Sequence, residues 1–158
     1  MDGAMDETLS KLKAVLQRDD FKIKASKYLR TSFTGPDGTE RPLKVRNYQI
    51  QMILQLVAMY RFVVGDDTGL GKTLSSIAAC CYLFDRQPNT KVVVLTKKSV
   101  VNQWADEVRR FTVGVEAFTA KGTPKQRKKS YEDFQAHDGP CVLVMGYRSA
   151  VQDFAELQ

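Results

Sequence analysis

The feature that most constrains this chain is the stretch Gly65-Asp66-Asp67-Thr68-Gly69-Leu70-Gly71-Lys72-Thr73. An apolar run, Phe62-Val63-Val64, leads into it, and Leu74, Ile77, Ala78 and Cys81 leave it at helical spacing. Strand, glycine turn and helix together are the context a phosphate-binding loop requires. The backbone N–H groups of such a turn and of the helix start form an anion site. Gly69 and Gly71 let the backbone close on phosphates with no Cβ in the way. In that reading Lys72 and Thr73 are the catalytic pair. The Lys72 ammonium lies against the β/γ-phosphates, and the Thr73 hydroxyl is a ligand of Mg²⁺. The strict spacing asks for glycine at position 66, where this chain has Asp66, so the loop is a variant of the form D-x-x-G-x-G-K-T. The bland alternative is a glycine-rich turn with a chance Gly-Lys-Thr.

A second element lies upstream. Leu43-Lys44-Val45-Arg46-Asn47-Tyr48-Gln49 opens a long apolar helical pattern, Ile50, Ile53, Leu54, Leu56, Val57 and Tyr60. A glutamine amide offers one donor and one acceptor, which suits the adenine edge. Gln49 precedes Lys72 with one helix between them. Alone, Arg-x-Tyr-Gln is a weak signal, and a surface glutamine at a helix start is the commoner case.

Further on, strands and helices alternate. Lys91–Thr96 is an apolar run of the buried parallel-strand kind. Ser99 is a candidate N-cap for a helix carrying Val100, Val101, Trp104 and Val108 on one face, where Trp104 reads as core. Residues 113–119 predict a strand, and Thr123-Pro124 starts a basic helix. Cys141–Met145 predicts a buried strand, Gly146–Ser149 its exit loop, and a last helix begins near Ser149. The order βαβαβαβα predicts a parallel sheet with right-handed crossovers, whose ligands gather at the carboxyl ends of the strands. The phosphate loop, Lys97–Ser99, Lys121–Thr123 and Gly146–Arg148 all follow strands and are expected on one rim.

Before this body, residues 1–42 read as an appendage and connector. They hold an amphipathic helix over 6–18 with Asp6 as a possible N-cap. A strand or hairpin arm over 21–34 follows, then the turn Gly35-Pro36-Asp37-Gly38. The domain proper is expected over 43–158.

Charge and cysteines narrow the class. The net charge is +6, yet residues 97–130 alone hold nine basic and three acidic side chains. A surplus concentrated in one segment points to a polyanion partner, with a solvated helix face as the alternative. Ser99 and the first amides of its helix are candidate phosphate contacts, with Lys97 and Lys98 beside them. Cys80, Cys81 and Cys141 are expected as buried, reduced thiols of an intracellular protein, and a lone His137 without paired cysteines does not suit zinc. No apolar run reaches the roughly 18 residues a membrane span needs. The N-terminus is acidic and lacks an apolar leader core, so no secretion signal is expected.

Taken together, Val45-Arg46-Asn47-Tyr48-Gln49, Asp66-Asp67-Thr68-Gly69-Leu70-Gly71-Lys72-Thr73, the strand into Lys98-Ser99 with Gln103-Trp104-Ala105-Asp106-Glu107, and Met145-Gly146-Tyr147 resemble motifs of one family. This is the first RecA-like domain of helicase superfamily two, and within it the Swi/Snf-type DNA translocases. The family's Pro-x-Ser and Thr-Ser-Tyr are matched here only at Ser99 and Tyr147. The resemblance covers about residues 43–150. It implies an α/β RecA-like P-loop domain behind a small helical and β appendage, and DNA-dependent ATP hydrolysis by the parent protein. Its cofactors are ATP and Mg²⁺, the latter at Thr73. The resemblance implies nucleotide contacts at Arg46, Tyr48, Gln49, Asp67, Thr68, Gly69, Leu70, Gly71, Lys72, Thr73 and Leu74. DNA contacts are implied at Lys97, Lys98, Ser99, Gln103, Lys121, Tyr147 and Arg148. The family's next strand ends in Asp-Glu-x-His, and a second RecA-like domain supplies an arginine finger, neither of which occurs in these 158 residues. The expectation is therefore an incomplete domain, inactive alone, working with a second RecA-like domain inside a nucleus, a bacterial cytoplasm or a virus-infected cell. A different P-loop ATPase or a small-molecule kinase is the alternative enzyme, and a non-catalytic nucleotide- or DNA-binding module the third class.

Overall fold

The structure, a computed structural model, describes residues 26–58, 64–65 and 69–157. The expected helix over 6–18 with Asp6, the start of the 21–34 arm, and Tyr60, Phe62, Val63, Asp66, Asp67 and Thr68 lie outside the described residues.

Chain order begins with a hairpin, β1 (Ser32–Thr34) and β2 (Glu40–Pro42), antiparallel with Phe33 opposite Arg41. The Gly35–Gly38 turn closes it. Gly38 takes φ 78°, and the Asp37 carboxylate accepts from the Thr39 hydroxyl at 2.7 Å and from Arg41 Nη2 at 2.7 Å. Next come helices α1 (Asn47–Ala58) and α2 (Lys72–Arg86), strand β3 (Lys91–Thr96), a 3₁₀ turn over Lys98–Val100 and helix α3 (Val101–Phe111). Strand β4 (Glu116–Ala120), helix α4 (Pro124–Ala136), strand β5 (Cys141–Gly146), helix α5 (Tyr147–Gln152) and a 3₁₀ turn over Phe154–Leu157 complete it.

Three strands form a parallel sheet in the order β3-β5-β4, with Val92 opposite Val142 and Ala117 opposite Val142 on the other side. The chain steps from β3 past the place of β5 to β4, then back. With right-handed crossovers, reversing direction puts the two crossing helices on opposite faces. Contacts agree. Val142 and Val144 join Ile77, Cys81 and Phe84 of α2 and Val101, Ala105 and Val108 of α3. Cys141, Leu143 and Met145 join Tyr131 and Phe134 of α4 and Ala150 of α5. Strand β5 alternates between two cores, which is why its six residues are all buried and why its sequence shows no polar alternation. A third core packs Ile50, Ile53 and Leu54 of α1 on Ala78, Ala79 and Tyr82 of α2. Trp104 packs against the first core, as its spacing implied.

Four local expectations are corrected. The strand expected over 113–119 starts at Glu116, because Val113 N donates to Tyr28 O at 2.9 Å and Gly114 turns at φ 67°. Ser99 does not cap the helix. It sits inside the 3₁₀ turn, and α3 starts at Val101 with no side-chain cap bond. Gly146 closes β5, and α5 starts at once at Tyr147, so there is no exit loop to Ser149. The residues expected as a connector include β2. Thr123-Pro124 starts its helix as expected, through a capping box with Gln126.

The hairpin is tied to the end of α3. Arg30 N donates to Phe111 O at 2.9 Å, and Arg30 Nε to Thr112 O at 2.8 Å. Arg110 donates to Thr34 O at 2.8 Å and lies over the Phe33 ring at 4.8 Å, while Phe33 meets Phe111 edge-on. At the far end of the sheet, Lys91 Nζ donates to Phe134 O at 3.0 Å and to Gln135 O, placing a cation at the C-terminus of α4.

Candidate nucleotide and nucleic-acid sites

Helix α2 begins on glycine. Gly71 is its N-cap at φ 77°, ψ 33°, and Gly69 sits at φ 85°. Both occupy left-handed backbone that glycine alone reaches without strain. Lys72 and Thr73 are therefore the first two residues of the helix, where N–H groups have no partner inside it. Ser75 Oγ and Ser76 Oγ donate back to Gly71 O and Lys72 O, at 3.2 and 3.0 Å.

The upstream element is brought to this loop. Tyr48 OH donates to Leu70 O at 3.2 Å, and Gln49 Nε2 donates to Gly71 O at 3.4 Å. Gln49 Oε1 accepts from Arg46 N at 2.9 Å, so both ends of the amide are engaged and the side chain is 4% exposed. The amide that the sequence assigns to adenine thus holds backbone on both sides here. Tyr48, Leu70 and Gly69 remain exposed, Leu74 half-buried, and Asp67 and Thr68 lie outside the described residues.

The loop fits a nucleotide phosphate with Mg²⁺. A Cβ built on Gly69 meets nothing within 4 Å, so the face of the turn is open. Thr73, half-buried in the first turn of the helix, carries a hydroxyl of the kind a hard cation that prefers oxygen takes. No group of three His, Cys, Asp or Glu able to hold a metal occurs among the described residues.

A second site lies at the carboxyl ends of the three strands. A cleft of about 520 Å³ is lined by Thr96, Lys97 and Lys98 after β3, Lys121 and Gly122 after β4, and Gly146, Tyr147 and Arg148 after β5. Five of the seven residues expected to meet nucleic acid are gathered there: Lys97, Lys98, Lys121, Tyr147 and Arg148. Ser99 is exposed but does not line the cleft, and Gln103 donates along its own helix to Glu107 Oε1 at 3.1 Å. No described residue of the phosphate loop lines this cleft. Tyr147 is 58% exposed beside these cations, and Lys121 Nζ donates to Asn102 Oδ1 at 3.0 Å.

One lining residue was missed by sequence reasoning. Arg127, one of the bases of the helix that Thr123-Pro124 starts, is buried. Its Nε and Nη2 donate to Asp153 at 2.5 and 2.9 Å, and Nη1 donates to Gly122 O at 2.9 Å. Tyr131 OH donates to the same carboxylate at 2.6 Å. The guanidinium holds Asp153 below the usual carboxylate range. Burial, then the bond to Asp153, pushes the Tyr131 phenol up to about 12. Spacing held a signal: Arg127, Tyr131 and Phe134 fall at i, i+4 and i+7, the inner stripe of α4.

The cysteines are core residues. Cys81 and Cys141 are buried, Cys80 half-buried, and burial pushes the Cys80 thiol up to about 12. No helix among the described residues is long and apolar enough to cross a membrane.

Known proteins carry the same pattern. Similar sequences include the Chromodomain-helicase-DNA-binding protein 1-like of Mus musculus, 30% identical over 138 residues, which are 82% of this chain and 15% of that protein. Helicase SWR1 of Saccharomyces cerevisiae is 31% identical over 114 residues, 69% of this chain and 8% of that protein. The ISWI chromatin-remodeling complex ATPase CHR11 of Arabidopsis thaliana is 29% identical over 120 residues, 73% of this chain and 11% of that protein. The chain thus spans a small part of the length of these relatives. Its α/β layers, with a parallel sheet between helices, are those of part of a RecA-like domain. The family model described as the SNF2-related domain matches residues 48–158, so this chain belongs to the SNF2-related domain family.

Proposed function

We propose that this chain is the ATP-binding portion of a DNA translocase that couples ATP hydrolysis to movement along duplex DNA. The observation that carries the reading is the clasp of Tyr48 and Gln49 on Leu70 and Gly71. It joins two sequence elements into one nucleotide site and fixes the glycine turn at the start of α2.

In this reading Lys72 neutralises the β/γ-phosphates, and Thr73 gives its hydroxyl to Mg²⁺. Backbone N–H groups of Gly69 to Leu74 cradle the phosphates. Arg46 and Tyr48 border the base, and Asp67 and Thr68 belong to the same loop. Gln49 either keeps its grip on Gly71 or turns its amide to adenine when nucleotide binds. ATP and Mg²⁺, when bound, supply a phosphoryl group whose transfer is driven by positioning and charge stabilisation.

Lys97, Lys98, Lys121, Tyr147 and Arg148 receive the DNA backbone at the strand-end cleft, with Ser99 and Gln103 flanking it. Cations there neutralise phosphates without reading sequence, as a translocase needs. The carboxylates and the arginine finger for turnover come from partners of this site, the latter on a second RecA-like domain. The work is placed inside the cell, on DNA.

The test compares duplex binding across salt with ATP turnover. A steep fall of affinity with salt, and poor turnover by residues 1–158 alone even with saturating duplex, are expected. Salt-insensitive binding, or phosphoryl transfer to a small molecule without DNA, overturns the reading.

A further inference from the structure

The strand-end cleft is framed by three chain segments, and two different devices hold them together. The exits of β3 and β5 adjoin through backbone: a Cβ on Gly146 would lie 3.7 Å from the Lys98 Cα. The exits of β4 and β5 are joined by Arg127. From the first turns of α4, its guanidinium reaches the Gly122 carbonyl on one side and the Asp153 carboxylate, just after α5, on the other. Gly122 follows Lys121, and Asp153 follows Gln152, and both Lys121 and Gln152 line the cleft.

Arg127 also lines the cleft, yet three of its donors are committed within the protein and its charge is neutralised by Asp153. The side chains of the pair are only 11% and 14% exposed. A cation used to attract phosphate would be exposed and unpaired. The geometry points to a lock: Arg127 and Asp153, backed by Tyr131, are positioning residues that set the spacing between Lys121 and the Tyr147–Arg148 pair for a polyanion backbone. A planar, forked guanidinium can hold a carboxylate and a carbonyl at fixed angles, which a lysine ammonium cannot. This inference rests on the reading of the cleft as a DNA-backbone site.

The sign of a charge change separates positioning from simple attraction. Asp153→Asn removes a negative charge beside the cleft and leaves Arg127 unneutralised. Attraction alone then strengthens duplex binding and steepens its salt dependence by about one phosphate. A lock weakens binding, by roughly fivefold for the loss of charge-assisted bonds. Binding of a short duplex to the full chain is measured by fluorescence anisotropy, with the folded fraction of each variant fixed by circular dichroism. Arg127→Lys keeps the charge and loses the fork, and is expected to weaken binding similarly. Tyr131→Phe keeps the shape and loses one bond to Asp153, and is expected to have a smaller effect in the same direction. Lys97→Ala/Lys98→Ala reports on the cleft itself. If that pair weakens binding while Asp153→Asn and Arg127→Lys leave the folded protein's affinity unchanged or raised, the lock is overturned and the cleft stands. If the lysine pair has no effect, the DNA reading fails first and the lock with it.

Discussion

Gln49 is held directly against Gly71. Its Nε2 lies 3.4 Å from the Gly71 carbonyl oxygen, and a Cβ added to Gly71 would come within 2.7 Å of that nitrogen. The last glycine of the phosphate loop is therefore required twice, once by its backbone and once by its neighbour.

Gly71→Ala is expected to destabilise by roughly 2–4 kcal/mol, from left-handed strain plus loss of the Gln49 bonds. Gly69→Ala pays the strain alone, since nothing lies within 4 Å of its Cβ position. Thermal unfolding of the two variants should rank Gly71→Ala as the more damaging. Equal losses would show that Gln49 yields freely.

The two upstream residues should separate in energy. Tyr48 is 39% exposed, so Tyr48→Phe should cost about 0.5 kcal/mol or less. Gln49→Leu takes the acceptor from Arg46 N and one donor from Gly71 O, which keeps those of Ser75, and should cost about 1–3 kcal/mol. Denaturant unfolding of both variants checks the order.

The capping box at the start of α4 gives a local test beside the strand-end cleft. Thr123 Oγ1 accepts from Gln126 N at 3.4 Å, while Gln126 Oε1 accepts from Thr123 N at 2.8 Å. Thr123→Ala should cost about 1 kcal/mol. Because Gly122 and Arg127 flank it, amide hydrogen exchange should rise at the start of α4 and stay unchanged at its end.

The Arg127–Asp153–Tyr131 cluster predicts a pH dependence with a definite sign. Asp153 titrates below its ordinary 3.8 because Arg127 hydrogen-bonds its charged form. Its contribution to stability is present above that value and is lost as pH falls through the lowered one. The gap in stability between the wild type and Asp153→Asn should be constant between about pH 5 and 8 and close on acidification below about 3.8. Tyr131, raised from 10.0 to about 12, adds stability that fades as pH climbs through that range. Urea unfolding at stepped pH checks both limbs.

Much of this architecture is legible in sequence because it depends on local pattern. The run Cys-Val-Leu-Val-Met reads as a two-face-buried strand, and β5 is one. Thr123-Pro124 reads as a helix start, and the capping box is there. What sequence missed depends on distant partners. The pull of Tyr28 on Val113 removes three residues from the start of β4, and nothing near Val113 announces Tyr28. Ser99 has the chemistry of a cap, but the tight 3₁₀ turn leaves it one residue too early. Arg127 reads as one base among Lys125, Lys128 and Lys129, until Asp153, 26 residues on, folds over it. The exits of β3, β4 and β5 meet at the cleft, because sheet topology decides where they lie, whereas no described residue of the phosphate loop, expected on the same rim, lines it.

The most direct test of the central claim is the affinity of the full chain for Mg²⁺-ATP beside that of Lys72→Ala. The account predicts saturable binding by the wild type and at least about tenfold weaker binding by the variant, the loss of a buried charge contact to phosphate. No nucleotide binding by the wild type, or equal affinity in Lys72→Ala, would contradict it.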